Sequence, residues 1–112
     1  MERTMRKLEY CGVLAGLLQI ALAAPSSAGE VVRVTINGLA FSPPEIQAKV
    51  GDTIEWVNGD FVDHTATAKT GEWEVTIGAG KSAQLQLTHA GLLAYFCRIH
   101  PNMTGTIHVI AD

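Results

Sequence analysis

Between Val31 and Ile110 the chain is built from short runs in which apolar residues recur at every second position, cut apart by turn residues. Val32, Val34 and Ile36 fall on one face of a β-branched run, the period-two signature of a half-buried strand. After Pro43-Pro44, two further strands are expected over Ile46 to Val50 and Thr53 to Asn58, with Gly51-Asp52 between them as a hairpin-like turn. His64 to Ala68 and Glu72 to Ile77 follow, the second closed by Gly78-Ala79-Gly80. Ala83, Leu85 and Leu87 alternate with Ser82, Gln84, Gln86 and Thr88; Leu92 to Cys97 and Gly105 to Ile110 complete the set. No stretch here sustains a 3.6-residue apolar period. About eight closely spaced strands predict an all-β antiparallel sandwich or barrel, with Trp56 and Trp73 as bulky core candidates.

The first 28 residues read differently. Arg3, Arg6 and Lys7 precede an apolar run from Cys11 to Ala24 interrupted by Gln19, and Ser26-Ser27-Ala28 supplies small residues for a peptidase. A spanning helix needs roughly 20 apolar residues, and this run is shorter. Residues 1–28 are therefore expected to be a cleaved signal peptide, with cleavage after Ala23 as the second choice and a retained anchor as the competing reading. Residues 29–112 form the one domain, and the protein is expected in the periplasm without stable membrane insertion.

Export changes the charge and the cysteine count. The remaining segment has nine acidic residues against five basic ones, which argues against nucleic acid or an anionic membrane as partner. Cys97 becomes the one cysteine left. Exported cysteines normally pair, so a lone thiol is an intermolecular bridge, a reactive group, a ligand or an inert core residue.

Its neighbours favour the ligand. Cys97, His100 and Met103 stand at successive i+3 steps on a loop between two strands, where one curl can aim all three at a common point. Pro101 restricts that loop, and Gly105 lets the backbone turn into the last strand. His64 opens a different strand 33 residues upstream and is the fourth candidate. Thiolate, two imidazoles and a thioether make a soft donor set that suits neither Mg²⁺ nor Ca²⁺, and a thioether is a poor ligand for Zn²⁺. Two His and one Cys with a weak axial Met is the arrangement of blue copper. His89, in a turn, and His108, on an alternating strand, are read as solvent-facing. Asp60 and Asp63 are read as loop polarity, and Asn58 as a residue supporting the ligands from behind.

These stretches resemble the cupredoxins, and within them the amicyanin-like branch. The resemblance is carried by Phe41-Ser42-Pro43-Pro44, Val50 through Asn58, His64-Thr65, and Tyr95 through Gly105 with Ile107 and Val109 beyond. The Cys-x2-His-x2-Met spacing is the amicyanin form. The resemblance implies a Greek-key β-sandwich holding one type 1 copper ion, with His64 as the buried histidine ligand and His100 as the one whose ring edge reaches the surface. Thr65 stands where the family commonly has Asn bridging the two ligand loops. Asp63, Arg98 and Asn102 make the rim around His100 more polar than the family's, although Ile99 and Pro101 fit its pattern.

The function these readings favour is a monomeric electron shuttle rather than an enzyme, since a metal saturated by protein ligands leaves no position for a substrate. Partners would be redox proteins docking briefly at Ile99, Pro101 and Phe61 or Val62; amicyanins receive electrons from methylamine dehydrogenase, and a dehydrogenase or a c-type cytochrome is the kind of partner expected. The alternative is a copper-binding or delivery protein without a redox partner, which often carries Met- or His-rich tracts; the chain has none.

Overall fold

A computed structural model describes residues 29–111; the expected signal peptide, residues 1–28, lies outside the described residues. Nine strands form two sheets: β1 (Val31–Ile36), β2 (Phe41–Ser42), β3 (Glu45–Lys49), β4 (Thr53–Asn58), β5 (His64–Ala68), β6 (Glu74–Ile77), β7 (Ser82–Gln86), β8 (Gly91–Phe96) and β9 (Thr104–Ile110). The first sheet runs β2-β1-β4-β7 and the second β3-β9-β8-β5-β6. The expected all-β sandwich is present, with β2 as a two-residue addition that the double proline after it obscures in the sequence.

Two expectations need correction. The sheets are mixed rather than antiparallel, because β1 pairs parallel with β4 and β3 parallel with β9. Gly51-Asp52 is not a hairpin turn: β3 and β4 lie in different sheets, so the chain there crosses the sandwich. Gly51 has φ 99°, a conformation glycine adopts without penalty. The buried carboxylate of Asp52 holds the corner by accepting the backbone N–H of Glu30 and of Lys49, both at 2.9 Å.

The period-two pattern places the core. Val34 and Ile36 of β1 and Ile54 and Trp56 of β4 face Ala66, Ile77, Tyr95, Ile107 and Val109 of the other sheet. At its centre the Trp56 and Tyr95 rings meet edge to face at 5.6 Å, Phe41 meets Tyr95 at 4.8 Å, and Trp56 Nε1 donates to Tyr95 Oη at 3.3 Å. Trp73 packs on this cluster from its half-buried position. Tyr95 also explains Gly105. That glycine lies in β9 directly opposite Tyr95, and a Cβ there would overlap the phenol ring. Close packing, not a turn, is what requires glycine at this position.

Gly105→Ala should therefore cost about 1–3 kcal/mol of stability, the range for overpacking a filled core, read from the midpoint of urea unfolding. Asp52 gives a pH test. Hydrogen bonds from Glu30 and Lys49 hold its carboxyl below the usual 3.8, so its contribution is present above that value and is lost as pH falls through the lower folded value. Asp52→Asn should be less stable than the parent at neutral pH, and the gap should close on acidification below about pH 4.

Candidate metal centre

At one end of the sandwich the β5–β8 ladder is short, pairing Thr67 with Phe96 and Ala68 with Tyr95 and no further toward the ligand end. The two strands part there, and the gap is filled by the start of β5 and by the loop from Cys97 to Met103. The structure brings His64, Cys97 and His100 together, their ligand atoms lying within 4.8 Å of one another. His64 Nδ1 is 3.7 Å and His100 Nδ1 4.0 Å from Cys97 Sγ. Met103 is buried at the end of the same loop and shares with His100 the lining of a surface depression. His64 and Cys97 are fully buried, and His100 is half-buried. His89, in the bend after β7, and His108, on the outer face of β9, are exposed, as expected.

The loop is closed by its own backbone: Met103 N–H donates to the His100 carbonyl at 2.9 Å and Cys97 N–H to the Met103 carbonyl at 3.0 Å. These bonds bring the i+3 residues to one side without a helix. Burial pushes the Cys97 thiol up, but N–H donation from Thr65 and His100 and the two imidazoles outweigh it and bring the thiol down to about 6. The Thr65 N–H reaches Sγ at 3.3 Å. A sulfur so placed is predisposed to the thiolate form that binds metal.

Behind His64 stands Asp60, expected from the sequence to be loop polarity and found instead against the imidazole ring. Its Oδ2 pairs with His64 Nε2 at 2.9 Å, which fixes the ring with Nδ1 turned toward Cys97. Asp60 also accepts Gly38 N–H at 2.7 Å and Leu39 N–H at 3.0 Å. Those two amides, with the His64 ring, outweigh desolvation and hold its carboxyl below the ordinary 3.8. Leu39 sits in the left-handed region at φ 62°, unusual for a branched side chain, and projects at the rim of the depression beside Ile99 and Pro101. The Asn37-Gly38 turn dipeptide is the sequence signal that could have located this corner.

Asn58 supports the ligand loop as expected. Its buried amide donates to the carbonyls of Val62, Ile77 and Gly78 at 2.9–3.2 Å, and its Oδ1 accepts Asp60 N–H at 2.8 Å. Asp63 is tied elsewhere, accepting Ala79 N–H at 2.9 Å. The donor chemistry fits a soft, redox-active transition metal: one cysteine sulfur and two imidazoles within reach of one another, with a thioether on the same loop.

A model of the cupredoxin-like domain matches residues 11–109. The chain belongs to the cupredoxin-like family. It is 32% identical over 108 residues to the amicyanin of Paracoccus denitrificans, spanning 88% of this chain and 82% of that one. With the amicyanin of Paracoccus versutus it shares 30% identity over 94 residues. The crystal structure of the P. versutus protein matches 80% of this chain and 87% of its own with a TM-score of 0.62. A reduced Cu(I) form of an amicyanin mutant at pH 4 matches as well, at 28% identity and TM-score 0.62, over 80% of this chain and 88% of its own. The sandwich of this cupredoxin is thus amicyanin-like.

Asp60→Ala should lower metal affinity by about 10–100-fold, the usual cost of removing a carboxylate that orients a histidine ligand. Competition with a Cu(I) chelator would measure it, and an unchanged affinity would show that the loop alone holds the ring.

Proposed function

We propose that this cupredoxin is an exported carrier of single electrons, with one type 1 copper ion held by His64, Cys97, His100 and Met103. The observation that carries the reading is the convergence of a buried, hydrogen-bonded cysteine sulfur with two imidazole nitrogens at the end of an amicyanin-like sandwich. Copper bound there supplies a one-electron Cu(I)/Cu(II) couple.

The chain's own residues do the rest. Asp60 fixes the His64 ring, Thr65 and the loop amides hold the sulfur, and burial keeps water away from His64, Cys97 and Met103. Solvent reaches the donor set at His100, so a redox partner would approach through that ring. Beside it Leu39 and Ile99 are each about half exposed, and on the segment leading to His64 Val62 is about half exposed and Phe61 is 99% exposed. Apolar side chains already on the surface desolvate cheaply on contact, and a small patch gives the brief, weak encounter that turnover of a carrier requires. With the Cys97 sulfur and both imidazoles taken up by the metal, we read the protein as a carrier rather than an enzyme.

The oxidised protein should show an intense visible thiolate-to-copper absorption, and Cys97→Ser should abolish it. Persistence of the band in Cys97→Ser, or its absence from the copper-loaded parent, would overturn the assignment.

A further inference from the structure

The register of β5 against β8, extended past Phe96, would set Ala66 against Cys97 and Thr65 against Arg98. Backbone pairing has ended by then, and side-chain atoms replace it. Thr65 N–H donates to Cys97 Sγ at 3.3 Å, and Arg98 N–H donates to Thr65 Oγ1 at 2.8 Å. Thr65 Oγ1 is in turn 2.8 Å from Thr67 Oγ1, Thr67 Oγ1 is 2.8 Å from Glu74 Oε1, and Glu74 takes Arg98 Nε at 2.9 Å and Nη2 at 2.8 Å. The path closes on the residue where it began.

Its proton order follows from the groups. An ionised carboxylate only accepts, so Thr67 gives its proton to Glu74 and takes one from Thr65; Thr65, with its proton so used, accepts from the Arg98 amide. Charge at the Glu74 end polarises both hydroxyls in the same direction and strengthens the contact at the Arg98 end. Thr67 and Glu74 are directly opposed across β5 and β6, the edge pair of the second sheet, so the ring links that edge to the residue following Cys97. As an isolated ion pair, Arg98 and Glu74 would contribute little, their side chains being 59% and 36% exposed. Joined through the threonines, they bear on Thr65, whose amide touches the sulfur.

We propose that Thr67, Glu74 and Arg98 are positioning residues for the copper centre, holding Thr65 against the Cys97 sulfur and thereby raising the reduction potential. The inference rests on the copper reading above. An N–H directed at the sulfur draws electron density from it and favours the reduced metal; hydrogen bonding at this sulfur is a recognised control of potential in such sites.

Thr67→Val removes the relay without changing charge and suits a strand, while Thr67→Ser restores the hydroxyl. Three quantities would be read on the full protein: the reduction potential, the thiolate–copper band, and amide hydrogen exchange at Arg98 in the ascorbate-reduced, diamagnetic form. Thr67→Val should lower the potential, shift the band and speed exchange at Arg98 several-fold, with Thr67→Ser close to the parent in all three. Glu74→Gln, which removes the polarising charge, should also speed Arg98 exchange and shift the band, and it carries the test if Thr67→Val folds poorly. An unchanged potential and band beside faster exchange would make the ring purely structural and overturn the proposal. Equal shifts in the Val and Ser variants would overturn it too, because the hydroxyl would not be the cause. A parent lacking the thiolate–copper band would instead refute the copper reading and remove the potential as the ring's role, while Arg98 exchange would still report whether the ring exists.

Discussion

The amide of Thr65 points at a sulfur atom where the next rung of a β-ladder would offer a carbonyl. Two strands that carry ligands have to separate at the end of the sandwich, and separation normally leaves backbone donors without partners. Thr65 is 1% exposed, so water cannot serve it. Leaving a buried amide unpaired costs about 1–3 kcal/mol. Cys97 Sγ takes that amide, and Thr65 Oγ1 takes the amide of Arg98. The opening that admits a metal centre is thus closed with the residues that build it, and the sulfur is brought toward the thiolate by the bond that closes the strand.

Asp60 applies the same economy on the other side of His64. A single carboxylate meets the His64 ring and two successive amides of the turn after β1. The ring orientation, the left-handed backbone at Leu39 and the apolar rim are therefore coupled through one side chain. Asn58 anchors the segment between β4 and β5 that carries Asp60, tying it to the end of β6.

Strand positions were legible because period-two burial is a local property: Val32, Val34 and Ile36 turn inward as the alternation requires. The four candidate ligands were legible for a different reason. Their residue types are rare together, and three of them sit within seven residues. What the sequence could not display was partnership across distance. Gly51-Asp52 looks like any hairpin turn, and only strand order reveals that the chain changes sheets there. Asp60 is indistinguishable from Asp63 along the chain, yet one meets the His64 ring and the other an amide of the turn after β6. Thr65 reads as a shortened version of a familiar asparagine, whereas its hydroxyl bonds the loop directly and continues into Thr67 and Glu74.

The consequence is a division between two faces of one short loop. Arg98 turns toward β6 and joins a polar ring; Ile99 and Pro101, the next residues but for His100, turn to the solvent with Leu39. On the proposed reading, a partner pressing on the apolar side does not compete for the hydrogen bonds of Thr65 with Cys97 and Arg98. Electron transfer is fast when the metal's surroundings change little between oxidation states. Rigidity behind the copper and ready desolvation in front of it are separate requirements, and alternate residues of the Cys97–Met103 segment meet them separately. The small size of the domain makes this separation matter. A domain of this length with no disulfide among the described residues has a modest core, and metal binding adds roughly 4 kcal/mol when the free metal exceeds its dissociation constant a thousandfold. The loop that serves exchange of electrons is then also among the contacts on which the fold depends, and a network that stiffens it serves both.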